Sequence, residues 1–114
     1  MTEPAIRSQT VEPFDRRLLL LDQADNVVVA CANLEAGDVV RMDGEDVKLS
    51  ANAPVGFKIA RRAFAPGEKV LKYGAEIGST TAAIQRGDVV HLHNMKSDYL
   101  PTYVHDDGVG FTKR

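Results

Sequence analysis

Apolar positions along this chain come in short bursts separated by turn-forming residues. Arg17-Leu18-Leu19-Leu20-Leu21 is closed off by Asp22, which predicts a short buried strand rather than a helix. Asp22 to Asn26 reads as a turn, and Asn26 to Ala32 is a valine-rich run suited to the next strand. Asp46-Val47-Lys48-Leu49-Ser50 alternates cleanly between apolar and polar, and so does Gly56-Phe57-Lys58-Ile59-Ala60-Arg61. Alternation sends Phe57 and Ile59 to one face and Lys58 and Ala60 to the other. Lys69 to Gly74 is a further strand. Glu76 to Thr81 is extended or loop, and Thr80 to Gln85 has room for one helical turn. No window carries the pattern of a long amphipathic helix. Short strands with a turn signal every eight to twelve residues predict a small all-β domain with at most short helical turns.

A turn recurs within this pattern. Ala36-Gly37-Asp38-Val39-Val40, Pro66-Gly67-Glu68-Lys69-Val70 and Arg86-Gly87-Asp88-Val89-Val90 share glycine, acid, any residue, valine. Leu34, Phe64 and Ile84 each stand three residues before the glycine. Glycine supplies a positive φ, the acid bonds nearby backbone amides, and a strand leaves. The glycines are 30 and 20 residues apart, so this is one compact fold reusing a turn rather than a solenoid.

Length and charge narrow the picture. A chain of 114 residues has room for one core. A net charge of −2 argues against general nucleic-acid binding, which needs a basic patch. No apolar run approaches the ~18 residues of a membrane span, and residues 1–15 lack the apolar stretch of a signal peptide. The expected location is the cytoplasm. Cys31, the only cysteine, sits in an apolar run and is expected to be a buried free thiol. The organisation expected is a loose arm over residues 1–16, a domain over 17–94, and a tail over 95–114 docked on the domain or on a partner.

The richest chemistry lies in Val89-Val90-His91-Leu92-His93-Asn94. Continued as a strand, it places His91 and His93 on one face and Leu92 on the other, locked in the core. Two fixed imidazoles can transfer protons or ligate a metal, and the spacing alone does not choose between these roles. His-x-His is also an ordinary pattern for a solvated strand face. His105-Asp106-Asp107 adds further potential ligands. Lys58, Arg61, Arg62, Lys72 and Lys96 would form an anion pocket if they converged, although each lysine alone is most simply a solvated residue. Backbone amides near Tyr73-Gly74 would add to such a pocket.

Four pieces in order carry a resemblance: Asp25-Asn26-Val27-Val28-Val29-Ala30, Gly56-Phe57-Lys58-Ile59-Ala60, Lys72-Tyr73-Gly74 with Ile77-Gly78, and His91-Leu92-His93-Asn94. Together they resemble the SAF domain of the altronate and galactarate dehydratase family. The resemblance implies a β-clip fold and lyase chemistry on sugar acids or related hydroxy acids. It implies a small subunit beside a large catalytic one, the arrangement also found in sulfolactate sulfo-lyase. It implies a divalent metal, iron or manganese, held mainly by the large subunit. On this reading His91 and His93 are catalytic or, alternatively, metal ligands, while Lys58, Lys72, Tyr73 and Asn94 bind substrate. Phe57 departs from a Gly-His-Lys pattern common at that position. Two other roles stay open: a binding or lid module like the antifreeze-like domain of sialic acid synthases, and a structural interaction domain. Self-association is also open.

Overall fold

The recurring turns are built as their residues dictate. Gly37, Gly67 and Gly87 have φ of 92°, 86° and 91°, a region that side chains bearing a Cβ avoid. The acid after each glycine reaches back to its own turn. Asp38 accepts a hydrogen bond from the Glu35 N–H at 2.9 Å, Glu68 from Ala65 at 2.7 Å and Asp88 from Gln85 at 2.9 Å. A fourth turn of this kind, at Gly56 with φ 91°, lacks the acid.

A computed structural model describes residues 12–98. They form nine strands: β1 (Leu18–Leu19), β2 (Val27–Ala30), β3 (Val39–Met42), β4 (Glu45–Lys48), β5 (Lys58–Ala60), β6 (Lys69–Lys72), β7 (Ala75–Thr80), β8 (Val89–Val90) and β9 (Met95–Lys96). The fold is all-β. The helical turn expected at 80–85 is not formed; Ile84 instead bridges Phe64. Among the described residues, no helix is long and apolar enough to cross a membrane.

The central sheet runs β1-β2-β5-β8, antiparallel throughout. Val28, Ile59 and Val89 lie in register, as do Val29, Lys58 and Val90. Alternation then separates two cores. Val28, Ile59 and Val89 join Leu18, Val40, Met42 and Leu49 on one side. Val27, Ala60 and Val90 join Phe64, Val70, Ile84 and Met95 on the other. The β3–β4 hairpin covers the first face, and the β6-β7-β9 sheet covers the second. Burial on both faces is why β2 and β8 read as continuous valine rather than as alternation.

The two halves are structural copies. The bridge Leu34 to Ala53 recurs as Phe64 to Ile84. The Gly37 N–H donates to Leu49 C=O as Gly67 does to Thr80, and Gly56 donates to Ala30 as Gly87 does to Ala60. Both hairpins turn through two left-handed residues, Asp43-Gly44 and Tyr73-Gly74, which matches strand twist. The offset is 30 residues at Leu34/Phe64 and 31 at Ala53/Ile84. The additional residue is Ile77, left unpaired where the β6–β7 register shifts.

Each hairpin is held by a side chain acting as a short piece of strand. Asn26 bonds β6 three times: its N–H to Leu71 C=O, its Oδ1 from the Leu71 N–H at 2.8 Å, and its Nδ2 to Lys69 C=O at 2.9 Å. Asp15 does the same for β3. Its N–H donates to Arg41 C=O and its carboxylate faces the Arg41 N–H, while Arg17 grips that carboxylate at 2.7 and 2.8 Å.

Some boundaries differ from the expectation. β1 spans only Leu18–Leu19. Cys31 is exposed, because β2 ends at Ala30 and the chain bends there. Of the expected arm, Phe14 packs on the first core. Of the expected tail, Met95 is buried in the second core. β9 lies so close that a Cβ at Gly78 would stand 2.1 Å from the Lys96 carbonyl oxygen. Residues 1–11 and 99–114 lie outside the described residues.

Two outcomes follow for stability. Asn26→Ala removes the side-chain bonds to the Leu71 N–H and the Lys69 C=O and should cost about 1–3 kcal/mol in urea unfolding. The guanidinium of Arg17 holds the Asp15 carboxyl well below its ordinary value, and Arg61 lowers that of Asp43. With folded values below unfolded ones, this stability is present above about pH 4 and is lost as pH falls through the folded values. Asp15→Asn should therefore be less stable than wild type at neutral pH, and the gap should close in acid. A gap independent of pH would exclude the ion pair as its cause.

Candidate functional site

β8 ends at Val90 because β5 offers partners only as far as Lys58. The chain then turns on the side chain of Asn94. Its Oδ1 accepts from the His91 N–H at 2.9 Å, and its Nδ2 donates to Val89 C=O at 2.8 Å. The N–H groups of Asn94 and Met95 both donate to His91 C=O. Such local side-chain bonds compete with a ladder and here replace it. The strand expected through Asn94 is therefore corrected: His91 and His93 do not share a strand face. Leu92, expected in the core, is 82% exposed at the tip of the turn.

The turn nevertheless delivers both imidazoles to one open cleft of about 540 Å³. Its walls come from the Ser50-Ala51-Asn52 loop, from Ala82-Ala83, and from Phe57, Asp88 and Asn94. The two loops occupy equivalent places in the duplicated halves, so the cleft lies where the copies meet. Asp88 joins them. One carboxylate oxygen accepts from Ser50 Oγ at 2.7 Å while the other closes its own turn. The His91 ring stacks on Phe57 with centroids 4.4 Å apart and planes 27° apart. His93 is exposed and His91 half-buried. Ser50, Asn52 and Asp88 were not singled out as site residues from the sequence. Asp88 stands in the third repeat of the turn, directly before the histidine stretch, and that was the available signal.

Of the other expected site residues, Asn94 lines the cleft and the rest lie elsewhere. Asn94 is buried, and both ends of its amide serve the turn. Tyr73 projects at the tip of the β6–β7 hairpin, 73% exposed, and gives its N–H to the buried Asp25 carboxylate. Neither Lys58 nor Lys72 lines the cleft. Lys58 is in register with Val90, so it leaves the sheet on the face opposite Ile59 and Val89. Burial, and then the charge of Lys72, hold its ammonium below the ordinary lysine value. The structure thus brings neither lysine to the histidines. Arg61 is committed to Asp43 at 2.9 Å and to the carbonyls of Gln23 and Asp25. Arg62 lies 3.3 Å from Glu68, and Lys96 is exposed on β9.

Among the described residues, no three His, Cys, Asp or Glu side chains come together as metal ligands. Among the described residues the histidine pair has no third donor beside it, so it would hold a metal only with a ligand from elsewhere. His105-Asp106-Asp107 lies outside the described residues.

The family model for the altronate/galactarate dehydratase SAF domain matches residues 16–98. The chain belongs to that family. Altronate dehydratase of Escherichia coli (strain K12) is 40% identical to this SAF domain over 74 residues, 65% of this chain. The chain spans only 15% of that protein's length. The (2R)-sulfolactate sulfo-lyase subunit alpha of Paracoccus pantotrophus is 39% identical over 61 residues, 52% of this chain and 91% of that subunit. The same subunit of Chromohalobacter salexigens is 35% identical over 82 residues, 67% of this chain and 86% of that subunit. The all-β architecture agrees with the β-clip expected of a SAF domain, and the relatives it matches are a dehydratase and two sulfo-lyase alpha subunits.

The turn supports a paired prediction. Leu92→Ala should change stability by no more than about 0.5 kcal/mol, as for other exposed positions. Asn94→Ala strips partners from buried backbone and should cost about 1–3 kcal/mol. Equal losses in thermal unfolding of the two variants would contradict the turn described.

Proposed function

We propose that this SAF domain is the small, non-autonomous subunit of a two-part lyase that dehydrates a sugar acid or related hydroxy acid, with His91 and His93 at a site shared with a large subunit. The observation that carries the reading is the likeness, at 39% and 35% identity, to two proteins named as subunit alpha of (2R)-sulfolactate sulfo-lyase. The cleft supports it, since it presents two imidazoles to the outside and is open enough to be completed by a second surface.

Dehydration removes a proton from the carbon beside a carboxylate and a hydroxyl from the neighbouring carbon. The proton is weakly acidic until the carboxylate is neutralised. A divalent metal, iron or manganese, held mainly by the large subunit, would supply that neutralisation. Imidazoles work near neutral pH, one taking a proton or delivering one to the departing hydroxyl. Phe57 gives the His91 ring a fixed plane to lie on, and Asn94 fixes its backbone. Asn94 thus acts through the turn rather than by touching substrate, and Tyr73 has no part in this cleft.

The test is to look for a neighbouring gene for a large dehydratase subunit and co-express the two, followed by assay on altronate, galactarate and sulfolactate. The complex should turn over one of them and the isolated chain none. His91→Gln and His93→Gln, made separately, should lower turnover ~100-fold or more while association survives. Turnover by the isolated chain would sink the two-part reading, and near-wild-type activity in both variants would remove the histidines from the chemistry.

A further inference from the structure

We propose that Tyr73, at the tip of the β6–β7 hairpin, is a docking anchor for the large subunit, set into an apolar pocket with a basic rim on that partner. This role rests on the two-part reading above and extends it to a surface outside the histidine cleft.

The backbone gives the first reason. Tyr73 has a φ of 62°, in the left-handed region. Glycine, asparagine and aspartate enter that region readily, while a bulky side chain there is strained. Such strain persists only where the surroundings enforce it. Here Asp25 enforces it. Asp25 is 2% exposed, and its two carboxylate oxygens accept the Tyr73 and Gly74 N–H groups at 2.8 Å each. The fold therefore commits a buried carboxylate to a turn that its own residue disfavours.

The duplication gives the second reason. The same place in the first hairpin is taken by Asp43, with φ 52°. Aspartate suits the turn, and its side chain is used inside the domain, where Arg61 grips both oxygens at 2.9 Å. Tyr73 does neither. It is 73% exposed, and among the described residues its side chain makes no hydrogen bond or ring contact. Neither the turn nor the core accounts for a tyrosine here.

The setting points to the occupant. Tyrosine brings a large ring at low rotamer cost and keeps a hydrogen-bonding group at its end, which makes it a frequent anchor in protein interfaces. Two exposed acids stand beside it. Asp22 lies against Gly74, where a Cβ would be 3.0 Å from its Oδ2, and Glu76 follows two residues after the turn. Lys72, before the turn, is half-buried. An acidic collar around an aromatic tip fits a basic rim around an apolar pocket.

The experiment compares Tyr73→Asn and Tyr73→Phe with wild type, first in the isolated full chain and then in association with the large subunit. Asparagine accepts this φ, so Tyr73→Asn should raise the thermal midpoint of the isolated chain by roughly 4 °C. The same variant should bind the large subunit about 30-fold more weakly in titration calorimetry, and Tyr73→Phe should keep most of the affinity. A variant that is more stable yet binds worse is the signature of an anchor, because a purely structural tyrosine would lose stability instead. A lowered midpoint in Tyr73→Asn, or unchanged affinity, overturns the proposal and leaves the two-part reading standing. Failure of the wild-type chain to form any complex sinks both together. Self-association of the isolated wild-type chain that Tyr73→Asn abolishes, read by analytical ultracentrifugation, makes the occupant a second copy and overturns the partner named here.

Discussion

The domain depends on two polar side chains that finish strands the backbone does not supply. A four-stranded sheet of two- to four-residue strands cannot stand alone. It needs a cover on each face, and each cover needs a fixed position. Asn26 sets the β6–β7 hairpin and Asp15 sets the β3–β4 hairpin, each by bonding the hairpin's outer backbone. An amide bonds there without charge. The carboxylate of Asp15 carries charge to a part-buried place, and Arg17 neutralises it. The two cores then follow from the pleat, since one valine on β2 feeds one hairpin and its neighbour feeds the other.

This arrangement explains what the sequence made legible. The Gly-acid turns were readable because φ near +90° and a back-bonding acid are local requirements satisfied by local residues. The alternation of Phe57, Lys58, Ile59 and Ala60 was readable for the same reason, and it correctly separates the two cores. The duplication was only half visible. Its fourth turn uses Gly56 without an acid, and the bulge at Ile77 shifts the later offset by one residue. The ends of strands were least legible. Val89 to Asn94 looks like continuous strand until one knows that β5 has run out of partners. Cys31 looks buried until β2 is seen to end at Ala30. Both depend on distant pairing, which a single chain read in order does not reveal.

The histidine stretch shows how a grouping of residues can survive a wrong route to it. Strand alternation was the reason for grouping His91 with His93, and it does not hold. The grouping itself holds, because a tight turn closed by Asn94 brings residues two apart to one cleft. The supposed core residue and the supposed ligand exchange roles in the process. Leu92 goes out to solvent, while Asn94 goes inside and holds the turn. A polar residue able to bond in two directions wins the interior position over leucine when the backbone around it has unmet groups.

The duplication also bears on why polar groups gather where they do. In two structural copies, equivalent strands are constrained alike by the shared sheet and cannot diverge far without loss of packing. The loops 50–52 and 82–83 bear no such load, and they meet across the junction. Ser50 and Asp88, one from each copy, close that junction with a single hydrogen bond. Beyond Val90 the second copy no longer follows the first, and this is where His91 and His93 enter. A cleft between copies can therefore acquire polar groups from both sides while the sheet beneath it stays fixed.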